Sequence, residues 1–167
     1  MNICLIPMTK ALCRAYFQKF VHDPILFLDT SKFQPYVYSE EKCDALVERY
    51  AQLGRVYMAV TLDSESIGEV ILKNIDHEKR CCTLGIHMKN DAFKNKGYGT
   101  QAEILILKYA FYEMNMESVY ADAILKNTRS QHVLEKVGFR ETHQDDMFRF
   151  YRCDKDSWKL PQLAESL

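Results

Sequence analysis

The segment from Tyr98 to Met114 constrains the fold more than any other. It carries Ile104, Leu105, Ile106, Leu107, Ala110 and Phe111 and is apolar nearly all round. A helix of that kind must be covered by other structure. Strands lie on both sides of it in the chain. Arg55 to Leu62, Ser66 to Asn74 and Lys79 to Met88 read as hairpin-like neighbours, with Asp63 to Glu65 as the first turn. Asn2 to Ile6, Ser118 to Leu125, Phe139 to Gln144 and Met147 to Cys153 read as further strands. Thr9 caps a helix running to about Phe20, with Leu12, Tyr16, Phe17 and Phe20 on one face. Ser39 opens another, with the stripe Cys43, Leu46, Val47 and Tyr50, and Gly54 stops it. Between these helices, His22 to Tyr38 contains Pro24 and Pro35 and reads as irregular. The order β-α-α-β-β-β-α-β-α-β-β predicts an α/β (α+β) domain on a mixed, mostly antiparallel seven-stranded sheet.

Composition narrows the class. The 167 residues carry 22 Lys+Arg against 23 Asp+Glu, a formal charge of −1. Non-specific phosphate-backbone binding needs a basic excess, so no nucleic-acid partner is expected. No run approaches the ~20 apolar residues of a membrane helix. Pro7, Lys10, Arg14 and Lys19 interrupt any signal-peptide core. A cytoplasmic protein with no membrane partner is the expectation, as a single domain over residues 1–167. The cysteines Cys4, Cys13, Cys43, Cys81, Cys82 and Cys153 form no C-x-x-C pair and are expected to be reduced packing residues.

Two segments carry chemistry. The first, Lys94-Asn95-Lys96-Gly97-Tyr98-Gly99-Thr100, leads into the apolar helix. Its glycines permit a tight turn and close approach of a ligand. The free N–H groups at the helix start form an anion site, with Lys94 and Lys96 adding charge. The residues alone leave a plain glycine turn equally open. The second segment runs from Asn127 to Phe139. Asn127 caps a helix with the stripe Val133, Leu134 and Val137, and Gly138 supplies its left-handed stop. By itself this segment needs no function. Gly97-Tyr-Gly99-Thr-Gln-Ala102 also fits the dinucleotide fingerprint G-x-G-x-x-G/A. That motif needs an apolar strand running straight into it, whereas residues 89–96 are polar.

Together, the two segments resemble the GNAT superfamily of acetyl-CoA-dependent N-acetyltransferases. Lys94 to Gly99 is similar to the family's pyrophosphate motif Q/R-x-x-G-x-G/A, with Lys in the first position. Asn127 to Phe139 is similar to the N-x-x-S-x-x-x-L-E-K-x-G-F pattern of the branch containing ribosomal-protein N-terminal (alanine) acetyltransferases. Ile67-Gly68-Glu69, Leu84-Gly85-Ile86 and Trp158 fit that branch too, so the resemblance covers nearly the whole chain.

The resemblance implies helices on both faces of the sheet and a splayed parallel pair, Lys79–Met88 with Ser118–Leu125. It implies acetyl-CoA as cosubstrate and no metal. Lys94, Asn95, Lys96, Gly97, Tyr98, Gly99 and Thr100 would form the pyrophosphate loop, with Tyr98 there as a packing residue. The pantetheine arm would run beside the backbone of His87 and Met88, and Asn127 and Ser130 would approach the arm and the thiol. A primary amine would attack the thioester directly. A lysine amine, with a pKa of about 10.4, is almost wholly charged at neutral pH, whereas an α-amine at about 7.7–8.0 is easier to deprotonate. Glu69 and His87 are the candidate bases and Ser130 the candidate donor to the leaving sulfur. The Tyr that serves as proton donor in this superfamily is replaced here by Leu134. By branch, the acceptor is a protein or peptide α-amine. A polyamine or amino sugar, or a non-catalytic acyl-CoA-binding domain, stays open. Asp23, Asp29, Glu40, Glu41 and Glu69 are available to an acidic amine pocket if they converge. A monomer or a homodimer fits, the latter through the last hairpin's edge strand.

Overall fold

The computed structural model describes residues 3–161. Its centre is a seven-stranded sheet of β1 (Ile3–Pro7), β2 (Val56–Leu62), β3 (Glu65–Asp76), β4 (Cys81–Met88), β5 (Ser118–Ile124), β6 (Arg140–Gln144) and β7 (Phe148–Asp154). The spatial order is β1-β2-β3-β4-β5-β7-β6. Every neighbouring pair is antiparallel except β4 with β5. Asn2, which the sequence placed in the first strand, lies outside the described residues.

The helices are α1 (Lys10–Phe17), α2 (Glu40–Gln52), α3 (Tyr98–Lys108) and α4 (Thr128–Val137). Their starts follow from local chemistry. Thr9 Oγ1 accepts from the Leu12 amide at 3.2 Å, and Ser39 Oγ from the Lys42 amide at 3.2 Å. Each satisfies a helix-start donor that has no partner within its helix. α1 is shorter than the apolar pattern suggested and ends at Phe17. The apolar segment is α-helical only to Lys108 and then widens into a π turn over Tyr109–Glu113. There the Met114 amide bonds Tyr109 O at 3.0 Å. Residues 22–38 hold only two short 3₁₀ turns, Pro24–Leu26 and Thr30–Lys32.

The sheet separates two cores. α3 and α4 pack on one face around Val70, Leu72, Leu84, Ile106, Phe111 and Val119. α1 and α2 pack on the other around Cys13, Tyr16, Tyr57, Ala59 and Ile71. α1 is tied to α2 by Arg14, whose guanidinium meets Asp44 at 2.8 and 2.5 Å and Glu40 at 2.6 Å. All six cysteines are free thiols, and burial pushes Cys13, Cys82 and Cys153 up to about 12. Trp158 closes the α4 end. Its Nε1 donates to Val137 O at 2.9 Å, and a Cβ on Gly138 would lie 2.9 Å from the indole. With φ +110° as well, position 138 requires glycine.

Candidate functional site

The parallel pairing of β4 with β5 is short. Cys81, Cys82 and Thr83 face Ser118, Val119 and Tyr120, and no pairing continues from Leu84 onward. Beyond that point the two strands part, and a cleft of roughly 410 Å³ opens there. Four parts of the chain line it: the end of β4, the glycine loop with the start of α3, one face of α4 with its cap, from Asn127 to Lys136, and residues 20–26.

Glycine 97 caps α3 in the left-handed conformation, φ +79°. Gly99 has a different use. It does not have a positive φ, and a Cβ built on it would meet no described protein atom within 4 Å. The space above it belongs to the cleft. A bare backbone at a helix start, with room for a ligand to touch it, is the arrangement that binds phosphate. Of the loop residues, Lys94, Asn95, Gly97, Gly99 and Thr100 line the cleft. Lys96 is exposed and outside the lining, and Tyr98 packs against the larger core.

Lys94 is already engaged. Its ammonium meets Asp23 and Asp91, both at 2.7 Å. Asp23 also binds Arg129 at 2.9 Å. Burial pulls the Asp23 carboxyl up, but Lys94, the Ile25 amide and Arg129 outweigh it and hold it below its ordinary value. Asp23 thus ties the irregular segment to the glycine loop and to α4 across the cleft mouth. Lys126 adds a bond to Phe27 O, and the Val21 amide bonds Lys89 O at 3.0 Å.

On α4, Asn127 and Ser130 both line the cleft. The buried Asn127 caps the helix, its Oδ1 accepting from the Ser130 amide at 3.2 Å. Gln131 Nε2 donates to Ile124 O and Leu125 O at 3.0 and 2.9 Å, locking the helix to the end of β5. Leu134 is a buried member of the larger core.

His87 and Met88 line the cleft from β4. His87 stands directly opposite Glu69 in the β3–β4 register. Its Nδ1 lies 3.3 Å from Glu69 Oε1. The imidazole is 44% exposed and the Glu69 side chain only 10%. His87 therefore meets the cleft, and Glu69 stands behind it, outside the lining. The Tyr57 hydroxyl donates to Glu69 Oε2 at 2.5 Å. Burial first, then the Glu69 charge, drives Tyr57 far above its ordinary value, so it stays a proton donor. A row Tyr57–Glu69–His87 thus runs from the smaller core to the cleft.

Sequence reasoning did not place Tyr57 in this row, and no local motif could have. Glu103, His132, Val133, Lys136 and the wall formed by Phe20, Val21 and Leu26 were also missed as cleft residues. Helical spacing from Thr100 to Glu103 and from Asn127 to Ser130 and Val133 was the available signal for those on α3 and α4.

The acetyltransferase (GNAT) domain family matches residues 2–140, and the chain belongs to that family. A similar protein is YdaF of Bacillus subtilis strain 168, a candidate ribosomal N-acetyltransferase. It is 30% identical over 93 residues, 56% of this chain and 50% of YdaF. The chain spans about half the length of that relative. Among solved structures, a GNAT-family acetyltransferase from Bacillus anthracis superposes with a TM-score of 0.75 at 18% identity, covering 93% of this chain and 96% of that one. Mutant forms of the spermidine/spermine N-acetyltransferase SpeG from Vibrio cholerae give 0.70 at 16%, with the same coverage. At those identities the likeness establishes the fold.

Proposed function

We propose that this protein is an acetyl-CoA-dependent N-acetyltransferase acting on a primary amine, with a protein or peptide α-amine as the acceptor. The observation that carries the reading is the cleft where β4 and β5 part. It joins a bare glycine helix start to an imidazole backed by a carboxylate. Gly97, Gly99, Thr100, Asn95 and Lys94 would hold the pyrophosphate, with the strand end at His87 and Met88 beside the pantetheine arm. Acetyl-CoA supplies an activated thioester whose carbonyl a neutral amine can attack, the CoA thiol leaving.

The chain's own task is to make the amine neutral. Glu69 beside Nδ1 favours the tautomer with its proton there, which leaves Nε2 as the acceptor for a proton from the amine. His87 is then the base and Glu69 its positioning residue, held in turn by Tyr57. The buried Leu134 offers no proton. Ser130, which lines the cleft, is the group to hydrogen-bond the departing sulfur. No group of His, Cys, Asp and Glu able to hold a metal occurs among the described residues, and we assign no metal.

Each of the acids available for a polycation pocket already has a partner within the chain. Asp23 is paired with Lys94 and Arg129, Asp29 with Ser31 and Lys32, Glu40 with Arg14, Glu41 with Ser39, and Glu69 with Tyr57 and His87. That arrangement favours an α-amine over a polyamine. No described helix is long and apolar enough to cross a membrane, and we place the reaction in the cytoplasm. The test is a screen for released CoA thiol with N-terminally free peptides, their blocked counterparts, spermidine and an amino sugar. Turnover with free peptides alone is expected. Turnover with spermidine alone moves the acceptor class, and none with any amine favours a non-catalytic acyl-CoA-binding domain.

A further inference from the structure

One cleft residue has no place in the chemistry above. Glu103 sits on α3, one turn beyond Thr100, and shares the cleft lining with it. Its residue is only 2% exposed, and its buried Oε2 has no hydrogen-bond partner among the described residues. A carboxyl left this way costs folding free energy that an apolar side chain would not. The group therefore has an unmet polar capacity directed at a cavity.

We propose that Glu103 is a binding residue for the pantetheine arm of acyl-CoA, donating the O–H of its neutral carboxylic acid to an amide carbonyl of the arm. This rests on the reading that the cleft holds acetyl-CoA. Placement supports it. Three residues of helix beyond Thr100 is a rise of about 4.5 Å, which sets Glu103 deeper than the anion site at the helix start. An ionised carboxylate there would repel a diphosphate one turn away, whereas a neutral acid does not.

Burial alone raises Glu103, to about 8, so it is protonated at neutral pH. None of the charged or titratable groups around it contributes to that shift. On β4 that group is Cys82, buried in the larger core. Sharing the cleft lining with Glu103 are His87 from β4, Lys94 from the glycine loop, Arg129, His132 and Lys136 from α4, and Asp23 from the irregular segment. β1 turns only Ile3 and Leu5 into that core.

The test is calorimetric titration of the full chain with two probes, from about pH 6.5 to about pH 9, a range that spans the Glu103 transition. One probe is acetyl-CoA. The other is 3′-phosphoadenosine 5′-diphosphate, the headgroup without the arm. Wild type and Glu103→Gln are expected to bind acetyl-CoA within threefold of each other at the low end. Wild type should then lose about tenfold relative to Glu103→Gln as pH rises, since the donor is lost. Glu103→Leu should be weaker by about tenfold for acetyl-CoA at every pH. The headgroup should bind all three proteins alike. Parallel pH profiles for wild type and Glu103→Gln, or equal losses on the headgroup, overturn the role of Glu103 and leave the cleft reading standing. A folded wild type that binds neither probe overturns both.

Discussion

The two faces of the sheet are built on different terms. The α3/α4 face is a broad apolar core whose helices begin at a glycine loop and at an asparagine cap, both opening on the cleft. The α1/α2 face is a smaller core threaded with polar groups. The Tyr57 hydroxyl, the Glu69 carboxylate and the Cys13 thiol lie among Tyr16, Ala59 and Ile71. On the proposed function, the first face binds by backbone shape, which tolerates an apolar surround. The second would face the reaction, and its buried polar groups are satisfied by hydrogen bonds. The cleft opens where β4 and β5 part. Cosubstrate binding should therefore respond to variants on the first face, and proton transfer to variants on the second.

The sharpest separation is expected from His87→Ala. Its kcat/KM with amine should fall by about 10²–10⁴-fold, with loss of the acid limb of the pH–rate profile, while acetyl-CoA affinity holds. Equal losses in binding and turnover would collapse the two faces into one site. If His87→Ala and Glu69→Ala both keep the wild-type acid limb, neither is the base. Leu134→Ala should cost about 2–5 kcal/mol of stability in denaturant unfolding. Turnover per folded molecule should hold, because Leu134 belongs to the core rather than the chemistry.

Gly99→Val probes the first face from the cleft side. A Cβ there meets no described protein atom within 4 Å, so stability should change by about 0.5–1 kcal/mol. Acetyl-CoA binding should fall by about 100-fold, near 2.7 kcal/mol, because the cradle is filled. Unchanged affinity in a folded Gly99→Val protein would sink the phosphate-loop assignment. The last effect is on thermal stability against pH. The folded Glu103 value, about 8, stands above the ordinary 4.5. The folded state thus keeps a proton that the unfolded chain releases. That contribution is fully present below about 4.5, is lost as pH rises toward about 8, and is level above it. Wild-type melting temperature should fall relative to Glu103→Gln across that window, and parallel curves would remove the buried acid from the first face.

Most of the frame was legible from residues alone. Caps at Thr9, Ser39 and Asn127, and left-handed stops at Gly54 and Gly138, act within a few residues of chain, so local reading finds them. Strand alternation and the apolar segment 98–114 set the element order for the same reason. The helix-start loop was legible because its turn depends on glycines close together in the chain. The π turn at Tyr109 was not, since it reflects how the helix end is accommodated by its surroundings.

The Tyr57–Glu69–His87 row was decided by tertiary structure. Counted from the Asp63–Ser64 turn, regular pairing would set Glu69 opposite Met58. A bulge leaves Ile67 as the extra residue and sets Glu69 opposite Ala59 instead. One residue of slip exchanges the faces of a strand. That slip turns Glu69 from the α3 side to the side of Tyr57 and of its cross-strand partner His87. The same holds for Asp23, whose pairing with Lys94 and Arg129 spans segments far apart in the chain. The sequence by itself determined the elements, their order and the helix-start site, because these depend on near neighbours. Only the folded sheet decided which acids meet which bases, because a single bulge and the parting of two strands set those distances.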